Sequence, residues 1–224
     1  WLPDVFGYSW ALPQILKQCG IQTFATTKIS WNDVNRMPHD LFWWRGIDGS
    51  EILTYFITTQ YESSEHKHGA TYNGKLTPFE IFGSWEGLRD KNLTKDVLIR
   101  FGHGDGGGGV TTGMLKSRRS MDLLHGVPHV VNDTAGGYFQ KLHRDMEERK
   151  SQQPVWDGEL YLEYHRGTYT SQAKNKRWNR KLEWKLAETE WLASRSLADG
   201  QEYPQEALHH VWEIVLRNQF HDII

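Results

Sequence analysis

Three observations predict an α/β fold that gives way to an all-helical region. Short apolar runs rich in β-branched and aromatic residues recur along roughly the first 150 residues. Helix-length segments lie between them, and alternation of the two is the mark of the α/β class. From about residue 170 onward only helical signals remain.

The first strand is expected over Ile21-Gln22-Thr23-Phe24-Ala25-Thr26-Thr27 and the second over Glu51 to Ile57. Asp96 to Phe101 is a short apolar run ending in glycines, as a fully buried parallel strand would read. Gly126 to Val131 is a fourth candidate strand. Helices are expected over Ser9 to Cys19, closed by Gly20, and over Pro78 to Leu88, Thr112 to His125 and Gly136 to Lys150. Ala173 to Ala198 has neither Gly nor Pro and sets Trp178, Leu182, Trp184, Leu186, Trp191 and Leu192 among many charged residues. Pro204 suits the first turn of a further helix. There Leu208, Val211, Trp212, Val215 and Leu216 form one apolar stripe. The polar stretch Ser151-Gln152-Gln153-Pro154 marks the expected boundary, giving domains 1–153 and 154–224.

Composition narrows the function classes. The chain has 224 residues, a net charge of -2, 38% hydrophobic and 24% charged residues. That balance gives no electrostatic reason to expect nucleic acid or an anionic membrane as partner. No apolar run approaches the length of a membrane span. Eleven Trp, nine Tyr and nine Phe favour a site that stacks on sugar rings, although aromatics also fill cores. The single cysteine, Cys19, excludes an intrachain disulfide and a Cys-based zinc site, and leans towards a reducing compartment. The chain opens on Trp1 and stops within an apolar run, so both ends read as cut.

Three segments carry the chemistry. In Trp1 to Tyr8, Asp4 follows a short apolar run and precedes a Gly and a helix. It reads either as a helix cap or as one of the acids that gather at strand ends in α/β folds. In Phe101 to Gly109, Asp105 sits among six glycines after a strand candidate. Such a loop is either a flexible turn or a place where backbone approaches a ligand. A phosphate loop is excluded, because no Gly-Lys-Ser/Thr follows. In Arg217 to Asp222, His221 is either a structural histidine or a metal ligand. Two carboxylates on separate strand ends suggest glycoside hydrolysis, which retaining enzymes perform with the pair roughly 5–5.5 Å apart.

The motifs resemble glycoside hydrolase family 38, the α-mannosidases. Trp1-Leu2-Pro3-Asp4-Val5-Phe6-Gly7-Tyr8-Ser9, continuing through Leu12-Pro13-Gln14-Ile15, is similar to that family's nucleophile segment. Phe42 to Gly49 and Gly104 to Gly109 resemble later blocks of its microbial and cytosolic branch. Glu159 to Ser171 resembles the entry to its middle helical domain, and Asn218 to Ile224 its metal-ligand block. The resemblance implies that 1–153 is the C-terminal part of a (β/α)7-type barrel and that 154–224 begins a helical bundle. It implies Asp4 as nucleophile and zinc ligand, His221 as a second ligand, and Asp105 as general acid/base. It implies that Phe6, Asp222, His103 and His165 line the sugar site. Two further Zn2+ ligands are expected upstream of Trp1. His66-x-His68 reads as a solvated loop and no substitute for them. The implied substrate is a mannose-containing glycan, the implied location cytoplasmic, and an oligomer is possible for the whole protein. A chain of this span is expected to be incomplete and poorly active alone. A non-catalytic carbohydrate-binding or scaffold protein on the same fold is the alternative, and a nucleotide-binding α/β protein a third, opposed by the missing Lys.

Overall fold

The computed structural model describes residues 1–61, 69–148 and 153–223. These fall into two compact units, Trp1–Tyr164 and His165–Ile224.

The first unit is built on a four-stranded mixed sheet. Its strands are β2 (Thr23–Thr26), β3 (Leu41–Arg45), β4 (Glu51–Phe56) and β5 (Val155–Asp157), in the order β2-β4-β3-β5. β2 runs parallel to β4, β3 antiparallel to β4, and β5 parallel to β3. A separate two-stranded pair joins β1 (Gly7–Tyr8) to β6 (Leu160–Tyr161). The centre of the sheet is therefore a β3–β4 hairpin, where simple alternation of strand and helix predicts parallel neighbours. Its turn is Gly46 to Ser50. Gly46 donates to the Ser50 carbonyl at 2.8 Å, and Asp48 accepts from the Ser50 amide at 2.9 Å. Gly49 has φ +83, a conformation that side chains rarely adopt.

Both faces of this hairpin are buried. Leu41, Trp43, Leu53 and Tyr55 pack on one side with Leu88, Leu93, Leu142 and Met146. The last two come from helix α4 (Ala135–Glu147), which adds Tyr138 and Phe139 to the same cluster. On the other side Phe42 meets Phe56 at 5.3 Å, and Phe24 bridges Trp44 (5.3 Å) and Tyr8 (4.7 Å). Burial of both faces removes the polar alternation that reveals a strand. Leu41–Trp44 is accordingly an unbroken apolar run ahead of Arg45, and the segment is not among the expected strands.

Two expected strands do not form. Asp96 to Phe101 is irregular and half-buried, with only a single bridge between Phe101 and Gly74. Val97 and Leu98 spend their apolar surface on the core cluster, and the Leu98 amide donates to the Tyr55 hydroxyl at 3.2 Å. Gly126 to Val131 is loop, with Val131 64% exposed. Pro128 lacks the donor that a ladder needs. Helices α1 (Leu12–Gln18), α2 (Pro78–Gly87) and α3 (Thr112–Met121) form inside their expected spans. Thr77 and Glu80 close a capping box on α2. His66 and His68 lie outside the described residues, as does the expected helix end at Lys150.

The second unit is a helical hairpin of α5 (Ala173–Leu197) and α6 (Gln205–Arg217). Leu186, Leu208 and Val215 form its core with Leu182, Tyr203 and Trp212. The Trp212 indole donates to Glu190 at 2.5 Å. No described helix is long and apolar enough to cross a membrane.

A reciprocal clamp holds the loop before β3 to the loop after α2. Asp90 accepts from the amides of Asp40 (2.7 Å) and Leu41 (3.0 Å). Asp40 in turn accepts from the Arg89 amide at 2.8 Å and pairs with its guanidinium at 2.6 Å. Burial pushes the Asp40 carboxyl up to about 6, against the pull of the Arg89 charge. The folded protein therefore binds the Asp40 proton more tightly than the unfolded chain does. Asp40's contribution is most favourable below the unfolded value of 3.8 and is lost as pH rises through about 6. The loss amounts to roughly 3 kcal/mol at about 1.4 kcal/mol per pH unit. Followed by NMR, the Asp40 carboxyl should titrate near 6, and Arg89→Gln should raise its midpoint. A midpoint in the ordinary carboxylate range would contradict the dominance of burial, and an unchanged midpoint in Arg89→Gln would contradict the clamp.

Candidate active site

The site grows out of the chain's first residues. Leu2 donates to the Ala25 carbonyl at 3.0 Å, and Thr27 and Lys28 donate to the Pro3 carbonyl at 3.2 and 3.0 Å. The first residues thus run beside β2. Tyr8 secures them, its hydroxyl donating to the Leu2 carbonyl at 2.7 Å and meeting Thr26 Oγ1 at 2.8 Å. The run before Asp4 forms no strand of its own, and Asp4 is instead held just past the end of β2.

Lys28 and Tyr72 both hold the Asp4 carboxylate. Lys28 Nζ lies 2.7 Å from Oδ1, and the Tyr72 hydroxyl donates to Oδ2 at 2.7 Å. The Asp4 side chain is only 16% exposed, so the pair is largely sheltered from water. Lys28 also sits over the rings of Phe6 (6.0 Å) and Trp31 (5.2 Å). Phe6 is buried at 8% exposure, with its ring beside the ammonium.

The glycine-rich loop arrives from the other side. Asn73 Oδ1 accepts from the amides of Gly104 (2.7 Å) and Asp105 (3.1 Å). The loop's base is tied to the next residue: Gly74 donates to the Arg100 carbonyl at 3.1 Å, and Gly102 to the Gly74 carbonyl at 2.9 Å. A Cβ at Gly104 would lie 2.7 Å from Asn73 Oδ1, so a side chain there would push the Asn73 amide away from the two backbone amides it accepts from. Arg100 stacks on Trp1 (5.9 Å) and Tyr72 (5.7 Å), bracing the tyrosine that holds Asp4. The neighbours Tyr72 and Asn73 therefore grip one acid by its carboxylate and the other by its backbone.

A cavity of about 410 Å³ opens beside Asp105. His103, Asn73, Tyr61, Thr71, Lys75 and Glu80 line it with that acid. Glu80 is fixed there by the amides of Lys75 (2.7 Å) and Thr77 (3.1 Å). Asp105 itself is exposed, and its carboxylate accepts no hydrogen bond among the described residues.

The first unit thus gathers Asp4, Phe6, His103 and Asp105. His165, His221 and Asp222 belong to the second. There His165 sits at a kink, and His221 Nε2 lies 3.5 Å from Asp222 Oδ1 with its ring 4.4 Å from Phe220. Among the described residues, no three His, Cys, Asp or Glu side chains gather into a possible metal site. With Lys28 and Tyr72 on its two oxygens, Asp4 does not by itself present a site fitted to zinc.

Lys28, Tyr72, Asn73 and Tyr61 were not singled out from the sequence. Each is an ordinary residue in an ordinary run, and only its distant partner gives it a role.

Residues 1–159 match the model of the glycosyl hydrolases family 38 N-terminal domain, and 163–224 that of the alpha mannosidase middle domain. The chain is 41% identical to alpha-mannosidase 2C1 of Mus musculus and 39% identical to an alpha-mannosidase of Saccharomyces cerevisiae. Each match covers all of this chain and 20% of the relative, so the chain spans about a fifth of their length. A crystal structure of an alpha-mannosidase from Enterococcus faecalis shares the fold, with a TM-score of 0.66 at 18% identity over 97% of this chain and 25% of that one. The chain belongs to glycosyl hydrolase family 38.

Proposed function

We propose that this chain carries the catalytic carboxylates of a retaining α-mannosidase acting on terminal α-mannosides of glycans. The observation that supports it most is that the neighbouring residues Tyr72 and Asn73 hold the Asp4 carboxylate and the Asp105 amide respectively. The family membership and the alpha-mannosidase names of its relatives supply the substrate class.

In this reading Asp4 attacks the anomeric carbon and forms a glycosyl ester. Lys28 and Tyr72 hold its carboxylate plane, so that attack does not wait on reorientation. Asp105 protonates the departing oxygen, then accepts a proton from the water that opens the ester. The glycine-rich loop alone would leave Asp105 poorly placed. Asn73 supplies its register by fixing two successive amides. Residues 1–153 are read as part of the (β/α)7-type barrel and 154–224 as the start of the helical bundle. The family likeness also brings a zinc ion, for which it would enlist Asp4 and His221 with ligands from elsewhere. No step above depends on it, since the described residues do not complete such a site. The cytoplasmic location rests on the likeness of the glycine-rich block to the cytosolic branch.

In the full-length protein, Asp4→Ala should reduce hydrolysis of aryl α-mannosides to background. Asp105→Ala should lose about 10²–10⁴-fold on unactivated mannosides. Added azide should restore turnover of an activated aryl mannoside and give the α-mannosyl azide; a β product would rule out the assignment of the two acids. Asn73→Ala should behave as a milder Asp105 variant, losing more activity on alkyl mannosides than on dinitrophenyl mannoside. Equal losses on both would leave Asn73 a purely structural residue. Chelation should abolish activity and zinc restore it; indifference to chelation would remove Asp4 and His221 as metal ligands while leaving the two acids standing.

A further inference from the structure

The residue that anchors the glycine-rich loop belongs to a reactive dipeptide. Asn73–Gly74 is the single Asn-Gly pair of the sequence. We propose that it is a self-modification site, whose rearrangement dismantles the grip on Asp4 and Asp105. The Gly74 backbone nitrogen attacks the Asn73 side-chain carbon Cγ, and the side-chain nitrogen leaves as ammonia. A cyclic succinimide results, and water opens it to aspartate or isoaspartate. One C–N bond forms as another breaks, the Gly74 amide proton departs with the ammonia, and water is the only co-reactant. The covalent change does not depend on the mannosidase reading; its effect on activity does.

The fold both primes this reaction and restrains it. Asn73 Oδ1 accepts from the amides of Gly104 (2.7 Å) and Asp105 (3.1 Å). Two donors on one carbonyl oxygen draw charge from Cγ and stabilise the oxyanion that forms on attack. Gly74 has no side chain to shield its nitrogen. Asn73 is half-buried, so water reaches the ring once it forms. The restraint is the bond from the Gly74 amide to the Arg100 carbonyl at 3.1 Å, which keeps that nitrogen engaged and protonated. The bridge of Gly74 to Phe101 is isolated, outside any ladder. A pairing without ladder neighbours opens locally at low cost, and each opening frees the nucleophile.

The site has no easy escape from this pair. A Cβ at residue 74 would lie 2.7 Å from the Arg100 carbonyl oxygen and 3.4 Å from Ile99 Cγ2, so the close bridge calls for glycine. Residue 73 must present an acceptor to two successive amides. Isoaspartate routes the main chain through the former side chain and so inserts an extra carbon between residues 73 and 74. Gly74 is then displaced relative to Tyr72. The bridge to Arg100 and the aim of the Tyr72 hydroxyl at Asp4 cannot both survive that displacement.

The test ages the full-length protein at mildly alkaline pH, native in one sample and unfolded in urea in another. Mass spectrometry follows the peptide that carries Asn73, and hydrolysis of an aryl α-mannoside is assayed in parallel. Asp-Gly pairs such as Asp48-Gly49 and Asp105-Gly106 rearrange through the same ring without a change of mass, so exchange of NH2 for OH in that peptide reports Asn73. Native Asn73 should convert at least about tenfold more slowly than in urea, because only molecules with the bridge open react. Activity should fall in step with isoaspartate at residue 73. Asn73→Gln keeps an amide acceptor but closes the ring poorly; it should gain no mass there, and whatever activity it starts with should not decline. Native Asn73 that stays an amide while the urea sample converts would overturn the modification site. Equal rates in the two samples would overturn the restraint by the bridge. Wild-type protein that converts yet keeps its activity as well as Asn73→Gln does would overturn the effect on the site. The mass readout stands whether or not the protein hydrolyses mannosides.

Discussion

Two backbone hydrogen bonds at Gly74 hold the site together. Through them the residue after Asn73 is paired with the chain on either side of Phe101. Tyr72 and Asn73 are thereby fixed between the strand-end segment that carries Asp4 and the loop that carries Asp105. Break that pairing and the phenol would lose its aim at Asp4 while the glycine-rich loop lost its anchor. A bridge of this kind is isolated, outside any ladder, so it has no neighbours to share the load. Around it the structure compensates with Arg100, whose guanidinium is stacked against Tyr72 from the same stretch of chain.

The helices were the most legible part of the fold. Their starts carry local signals: Thr77 with Pro78 and Glu80, Thr111 before α3, Thr134 before α4, each with its side chain accepting from an amide of the first turn. Such signals need no knowledge of the tertiary structure. Strands were less legible, because a strand is defined by its partner. Thr23–Thr26 and Glu51–Phe56 find partners and form. Asp96 to Phe101, with similar composition, buries its apolar side chains without a ladder. Leu41–Arg45 pairs on both edges, and its aromatic run hides the period of two.

The site divides along the same line. Asp4 and Asp105 stood out because acids beside glycines at strand ends are unusual, and the motif blocks then gave them roles. Lys28, Tyr72 and Asn73 had no such context. Tyr72 reaches Asp4 across sixty-eight positions of sequence, and Asn73 reaches Asp105 across thirty-two. Neither spacing has a period or a motif. Phe6, which the resemblance implies lines the sugar site, is buried with Lys28 over its ring, a contact that no sequence spacing announces.

Carboxylates and amides do two kinds of work in this chain, and the difference separates architecture from chemistry. A fold with few strands leaves many loop amides without ladder partners, and these must be satisfied. Here side chains satisfy them: Asp90 for Asp40 and Leu41, Asp40 for Arg89, Glu80 for Lys75 and Thr77, and Glu163 for Asp33, Val34 and Asn35. The three amides around Glu163 hold its carboxyl below its usual range, the sign of an acid kept permanently charged for anchoring. Asp105 is arranged the other way round. Its amide is held by Asn73 while its carboxylate accepts no hydrogen bond among the described residues and borders the cavity. A group that must both give and take a proton is poorly served by donors that lock it in one state. An acid held by its backbone, with its side chain left to the cavity, is free to change its protonation state, which is what the proposed role of Asp105 in proton transfer requires.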